Sequence, residues 1–285
     1  MRLPLLAVLS CLIGVAPVAA QQSAVATDPP ADRLHPAGMT VLHIPSGGVA
    51  INGVAYTPSG PGPHPILLLL HGWPGNEKNL DLAQAARRAG WVAVTINYRG
   101  SWGSPGRFSF AHVLEDTQAA LAYLRTPATA ARLGADPERI VLAGHSMGGW
   151  STLLTAARDH RLLGAVAISA ADMGALGDLP REKTIAAAAD NAETLVTTPA
   201  AMADELIARG RTWRLAGAAA GLTRTRLLVL TSDDGLAPPA DALVAAVRAG
   251  GSGQVEARHV ATDHGWSDHR IVLETIVLDW LAMLR

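Results

Sequence analysis

The sequence predicts an α/β fold in which helices cover both faces of a mostly parallel sheet. Short continuous apolar runs alternate with longer segments of helical character, and such runs are typical of strands buried on both faces. Parallel neighbours need long crossover connections, which helices usually supply, so this alternation favours a parallel sheet. One run, residues 140–143, also leads directly into a serine flanked by glycines and then into a helix-compatible segment.

The elements follow from these patterns. An antiparallel hairpin is expected first, because the apolar runs 39–44 and 49–57 are separated by only a Ser46-Gly47-Gly48 turn. The remaining strands are predicted at residues 66–70, 91–96, 140–143, 164–169, 227–231 and 254–260. Helices are predicted at residues 80–89, 110–125, 150–158, 239–249 and 269–284. Residues 171–221 interrupt the alternation with alanine-rich helical stretches that glycine and proline break.

Composition excludes several classes of function. The 285 residues carry a formal net charge of −1, which provides no electrostatic basis for binding nucleic acid. No G-x-G-x-x-G or Walker-type loop indicates a nucleotide cofactor, and no H-E-x-x-H indicates zinc. His259, His264 and His269 are five residues apart, which is not the spacing of a helical zinc pair. We therefore expect no cofactor and no metal.

The N-terminus resembles a secretory signal. A basic Arg2 is followed by an apolar run at residues 3–20 that ends in small residues and is followed by glutamines. We expect a signal peptide at residues 1–20, a flexible leader at 21–38 and one domain at 39–285. The protein would then be exported, periplasmic or secreted, without a stable membrane anchor after cleavage near Ala20. The alternative is an uncleaved anchor, because the run is nearly long enough to span a bilayer.

The serine motif is the most informative stretch. Gly144-His145-Ser146-Met147-Gly148 matches G-x-S-x-G between a predicted buried strand and a predicted helix. A serine at such a junction must sit on a sharp turn, and the flanking glycines leave room for it. The turn lifts the hydroxyl above the sheet edge and places the next backbone N–H beside it. This is the geometry of a nucleophile elbow.

Two later loops carry residues that could assist the serine. Asp233 and Asp234 follow the strand at 227–231, at the sheet edge where open α/β sheets place their sites. Either carboxylate could instead close an Asx turn or cap a helix. His264 follows the last predicted strand and could act there as a general base and then a general acid.

The order Ser146, Asp234, His264 resembles that of the α/β-hydrolase family. With Asn97-Tyr98-Arg99-Gly100 and Asp263-His264-Gly265-Trp266, the chain looks like the prolyl-oligopeptidase and dienelactone-hydrolase relatives, many of which are esterases or acyl-peptide hydrolases. The resemblance covers about residues 40–285 and implies an α/β-hydrolase fold with a catalytic triad. It favours Asp234 over Asp233, because the family's acid stands four residues before a proline, here Pro238.

The resemblance also implies an oxyanion hole and a cap. Met147 would donate one N–H, and Trp73 would donate the other from a loop similar to the family's His-Gly oxyanion loop, since Pro74 has no N–H. The 171–221 insertion stands where family members often carry a helical cap. Its larger apolar side chains could line the substrate pocket or form the cap's own core: Met173, Leu195, Met202, Leu206 and Trp213.

The sequence therefore predicts a serine hydrolase that cleaves carboxylic esters through an acyl-enzyme on Ser146. One alternative is a small serine peptidase or acyl-peptide hydrolase with the same triad, and a remote one is a non-catalytic binding protein of this fold. The partner would be a small ester or a short peptide-like substrate. Acyl-chain length and oligomeric state stay open.

Overall fold

The computed structural model describes residues 24–251 and 254–285; the predicted signal peptide, residues 1–20, lies outside them. The strands are β1 Gly38–Ser46, β2 Val49–Thr57, β3 His64–Leu70, β4 Val92–Ile96, β5 Ala135–His145, β6 Gly164–Ile168, β7 Leu227–Ser232 and β8 Val255–Val260. The helices are α1 Leu80–Arg88, α2 Phe110–Leu124, α3 Pro127–Leu133, α4 Met147–Ala156, α5 Met173–Leu176, α6 Arg181–Ala189, α7 Pro199–Arg209, α8 Ala219–Leu222, α9 Ala237–Ala249 and α10 Arg270–Ala282.

All eight strands form one sheet in the order β1-β2-β4-β3-β5-β6-β7-β8. β2 pairs antiparallel with both β1 and β4, and the other neighbours are parallel. β3 and β5 lie side by side in the middle, so the loops at their carboxyl ends meet at one edge of the sheet. The predicted fold, a mostly parallel sheet with an antiparallel N-terminal hairpin and surrounding helices, is confirmed.

The central strands are continuous apolar runs because helices cover both faces of the sheet. In β3, Ile66, Leu68 and Leu70 belong to the core beneath α2, α4 and α9. The intervening Leu67 and Leu69 belong to the opposite core, beneath α1 and α10. Successive side chains of a strand point to opposite faces, so each apolar residue of the run is buried in one layer or the other.

Two predictions of local structure need correction. The strand predicted at residues 140–143 is longer, because β5 begins at Ala135 and pairs with His64 before a register irregularity. Helix α3 was not predicted. It follows Thr126, whose side chain accepts a hydrogen bond from Thr129 N, and ends at Gly134 in the left-handed conformation. Both are helix-boundary signals, but the helix between them has only seven residues. The other boundaries differ by at most two residues, apart from helix α4, which begins at Met147 and not at residue 150.

The 171–221 insertion, called the cap segment below, contains α5, α6, α7 and part of α8. Of the five apolar side chains singled out from the sequence, four are buried in the core of the α2–α4–α9 face, and Leu195 packs against that core from a partly buried position; the four are Met173, Met202, Leu206 and Trp213. The cap segment is therefore continuous with the main core. The sequence left open a substrate pocket or a separate core of the cap, and these side chains instead extend the main core.

Within the described residues, we find no helix with the length and hydrophobicity needed to cross a membrane. The segment that precedes β1 contacts the domain, because the guanidinium of Arg88 donates hydrogen bonds to the carbonyl oxygens of Ala24 and Val25. Ala24 is itself buried.

Candidate active site

Ser146 occupies the turn between β5 and α4, with φ 58° and ψ −120°. A non-glycine residue rarely adopts this conformation, and such strain persists only where the surroundings hold it. Here Ser146 N donates to Ile168 O at 2.9 Å, and Ser146 O accepts from Ala171 N at 3.1 Å. The backbone of β6 and the loop after it therefore hold the serine in its strained conformation.

Two glycines allow the backbone to crowd this turn. A Cβ on Gly148 would lie 2.2 Å from Leu70 O, so only glycine lets α4 begin against the end of β3. A Cβ on Gly72 would lie 2.9 Å from the Cβ of Ser146. The loop after β3 is thus packed directly on the serine, which the motif alone could not show.

His264 lies beside the carboxylate of Asp234, with His264 Nδ1 at 2.6 Å from Asp234 Oδ2. Because an ionised carboxylate only accepts hydrogen bonds, Nδ1 carries the proton and the neutral ring presents a lone pair at Nε2. The Asp234 side chain is only 4% exposed. Burial alone would raise the pKa of Asp234, but hydrogen bonds from His264 and Leu236 N, with the charge of His264, lower it below its usual value.

Asp233 contacts a different histidine. Its Oδ1 lies 3.0 Å from His259 Nε2, and both side chains are at least half exposed. Of the two neighbouring aspartates, the structure therefore brings Asp234 to His264.

Ser146 and His264 line one pocket of about 180 Å³. The other lining residues are Gly72, Trp73, Pro74, Gly75, Asn76, Glu77, His145 and Gly265. No cap residue lines this pocket. The Ser146 hydroxyl makes no hydrogen bond within residues 24–251 and 254–285. In free enzymes, hydrogen bonds between catalytic groups are often loose and tighten only on binding, so this geometry is compatible with the expected serine–histidine pair.

Trp73 lies on the loop after β3 and lines this pocket, and its backbone N–H is one of the two groups expected to donate to an oxyanion. Among the described residues, neither this group nor Met147 N–H has a hydrogen-bond partner. His71 Nδ1 lies 2.8 Å from Gly72 O, so the ring nitrogen carries the proton and donates it. Because C=O and N–H point in opposite directions in a trans peptide, this bond turns the N–H of Trp73 away from His71. Apart from the His71-Gly72 dipeptide itself, the sequence gives no signal that His71 orients the peptide between Gly72 and Trp73.

The imidazole of His71 is uncharged at neutral pH. Burial, opposed by its hydrogen bond to Gly72, lowers the pKa of His71 to about 4. The Tyr98 ring lies 4.6 Å from it, centroid to centroid, and the Tyr98 hydroxyl donates to His71 O at 3.2 Å. The imidazole can therefore hold the loop without adding a positive charge to the site.

His145 was not singled out from the sequence, because the position before the serine accepts any residue in the G-x-S-x-G pattern. In the structure its Nε2 lies 2.8 Å from His264 O, and the two rings lie 4.5 Å apart, centroid to centroid. Within the part of the chain that the structure describes, no group of three or more His, Cys, Asp or Glu side chains could hold a metal ion.

The sheet order, the strained turn and the helices on both faces define an α/β-hydrolase fold. A sequence model of the family described as "Alpha/beta hydrolase family" matches residues 67–278, more than half of the chain. The protein therefore belongs to this family.

A curated relative is the "Quorum-quenching protein AidA" of Acinetobacter baumannii (strain MDR-ZJ06), 30% identical over 128 residues. That match covers 42% of this chain and only 40% of the relative. Among solved structures, the carboxylesterase EstE1 from a metagenomic library has a TM-score of 0.66 at 20% identity, covering 94% of each chain. The acylaminoacyl peptidase of Pyrococcus horikoshii has a TM-score of 0.65 at 16% identity, covering 86% of this chain and 41% of that one. At such identities the structural matches establish the fold.

Proposed function

We propose that this protein is a serine hydrolase that cleaves carboxylic esters through an acyl-enzyme on Ser146. The observation that carries the proposal is that His264, which lines one pocket together with the strained Ser146, is paired at 2.6 Å with the carboxylate of Asp234. A histidine with its Nδ1–H held by a carboxylate presents Nε2 as a base, which an isolated serine lacks.

The acylation step uses these groups in order. Ser146 Oγ attacks the ester carbonyl carbon while its proton passes to His264 Nε2, and Asp234 stabilises the imidazolium that results. The carbonyl oxygen becomes an oxyanion that accepts hydrogen bonds from the N–H groups of Trp73 and Met147. When the tetrahedral intermediate collapses, the C–O bond to the alcohol breaks and the alcohol takes the proton from His264.

Water then repeats the sequence on the acyl-enzyme. His264 takes one proton from water, the hydroxide adds to the acyl carbon, and the bond to Ser146 Oγ breaks as that proton returns to the serine. The products are a carboxylic acid and an alcohol. Amide cleavage would use the same groups with an amine as leaving group, so the solved fold relatives, an esterase and a peptidase, support testing both bonds.

The test is a pre-steady-state assay with 4-nitrophenyl acetate on wild type and Ser146→Ala. We expect a burst of about one equivalent of nitrophenol from the wild type and none from the variant, with intact-mass detection of the acetylated wild type. Unchanged turnover in a correctly folded Ser146→Ala protein would refute the mechanism. Parallel assays with the 4-nitroanilide of the same acyl group decide between ester and amide substrates.

A further inference from the structure

His145 is a buried polar residue that the proposed mechanism does not use. It is the last residue of β5 and lines the same pocket as Ser146 and His264, with only 4% of the residue exposed. His145 Nε2 lies 2.8 Å from His264 O. Because a carbonyl oxygen can only accept, Nε2 carries the proton, and Nδ1 keeps a lone pair that has no partner in the described structure.

This hydrogen bond acts on His264 itself. The neighbouring parts of the loop have anchors of their own: Asp233 N donates to Thr262 O, Arg270 donates to Gly265 O, and Trp266 Nε1 donates to Ser169 Oγ. None of these bonds involves His264. Within the described residues, the backbone of His264 is bonded to a side chain through His145, and its ring is bonded through Asp234.

Two separate contacts are needed to fix an imidazole. The bond to Asp234 holds Nδ1, but a ring tethered at one nitrogen can still swing when its backbone shifts. The bond from His145 holds the carbonyl end of the same residue, and the His145 ring packs against the His264 ring with a tilt of 44°. Together they define where Nε2 lies relative to the pocket.

We propose that His145 is a positioning residue, which holds the backbone of His264 so that its imidazole remains placed to receive the Ser146 proton. This inference rests on the proposed function, since it assigns His264 the role of base. His145 touches no reacting atom in this scheme, and its contribution is geometric.

The neutral state of His145 suits this role. Burial, with the neighbouring charges of His264 and Arg270, lowers the pKa of His145 to about 4, against smaller opposing effects of its hydrogen bond and of Asp234. A neutral neighbour adds no repulsion when His264 becomes an imidazolium during acylation.

Matched variants of His145 differ in whether the new side chain keeps a hydrogen-bond donor at the position of Nε2. The amide nitrogen of glutamine is as many bonds from Cβ as His Nε2, whereas that of asparagine corresponds to Nδ1. His145→Gln therefore keeps a donor that can reach His264 O. His145→Asn and His145→Leu do not, and they differ from each other in polarity, so a loss common to both reports the missing bond.

The experiment measures kcat and KM for 4-nitrophenyl acetate in wild type and the three variants, with the melting temperature of each. We expect kcat to fall roughly 10- to 100-fold in His145→Asn and His145→Leu with little change in KM, as for loss of a group that orients a catalytic side chain. His145→Gln should recover most of kcat. If one variant fails to fold, the other still removes the donor.

These measurements distinguish failure of the positioning role of His145 from failure of the proposed serine mechanism. Wild-type kcat in folded His145→Asn or His145→Leu overturns the positioning role while a wild-type burst leaves the serine mechanism intact. A His145→Gln protein as slow as His145→Leu also overturns it, because the bond would not be the cause. Turnover that survives Ser146→Ala, or a wild type that shows neither turnover nor acetylation, removes the proposed function, and the positioning role falls with it.

Discussion

The carboxylate of Glu205 in the cap segment caps the main-domain helix that begins at Phe110. Glu205 Oε2 accepts from Phe110 N at 2.8 Å, and its Oε1 accepts from Ala111 N at 3.0 Å. The first N–H groups of a helix have no partner within the helix, and a negative charge there is also favoured by the helix dipole. The cap segment is further tied down by Val196 N, which donates to Gly100 O at 2.7 Å.

We therefore expect Glu205→Ala to loosen the cap segment without disabling the site. Loss of a cap of this kind costs about 1 to 2 kcal/mol of stability, so the melting temperature should fall and limited proteolysis should cut sooner within residues 171–221. Glu205→Gln is the matched control, because its amide oxygen can still accept one of the two bonds. Because Glu205 lines no part of the Ser146 pocket, kcat for a short ester should remain at the wild-type value. An unchanged melting temperature and proteolysis pattern in Glu205→Ala would show that this contact does not hold the cap.

The small pocket predicts a preference for short acyl chains. Its volume of about 180 Å³ is below the roughly 300 to 1,000 Å³ of pockets that bury a drug-sized ligand. Trp73 lies between this pocket and Phe110, whose ring centroid is 5.2 Å away in an edge-on contact. We expect kcat/KM to fall steadily from acetate to octanoate among 4-nitrophenyl esters.

Trp73→Ala provides the control for acyl-chain length, because it keeps the backbone N–H and removes the bulky side chain of a residue that lines the pocket. Its ratio of octanoate to acetate kcat/KM should exceed that of the wild type. Equal rates for both esters in the wild type would contradict the size argument, whatever the variant does.

His71 should matter for rate through the peptide that it orients. His71→Leu removes the bond to Gly72 O, so the Trp73 N–H loses its fixed direction and kcat should fall about 10- to 100-fold. His71→Asn should be faster than His71→Leu, since the asparagine amide nitrogen corresponds to Nδ1. The relevant measurement is kcat for 4-nitrophenyl acetate beside the melting temperature. A leucine variant that is folded and as fast as wild type would exclude this role.

The fold and the positions of the site residues after particular strands could be predicted from the sequence, because both depend on strong local signals. A buried run such as 66–70 identifies a central strand, and the position of Asp234 after β7 and of His264 after β8 follows from the alternation of elements. Parallel strands then bring distant loops to one edge without further information.

What could not be predicted depends on contacts between loops distant in sequence. The G-x-S-x-G pattern accepts any residue where His145 stands, so its bond to His264 has no sequence signature. The role of Trp213 was equally open, because an apolar side chain in an insertion can line a pocket or fill a core. Only the packed structure, where Trp150 Nε1 donates to Trp213 O at 2.8 Å, places this part of the cap segment on the main core.

The two buried histidines predict a loss of stability in mild acid. An unfolded histidine has a pKa near 6.5, whereas the pKa values of folded His71 and His145 are both about 4. Between these values the unfolded chain binds protons that the folded chain does not, so the free energy of unfolding decreases as the pH falls from about 6.5 to about 4. Each histidine contributes up to about 3 kcal/mol across this window. Urea unfolding of wild type and His145→Gln at pH 7 and pH 5 checks this. The variant should lose less stability than wild type between the two pH values, since glutamine does not titrate. An equal loss would show that His145 is already protonated in the folded protein at pH 5.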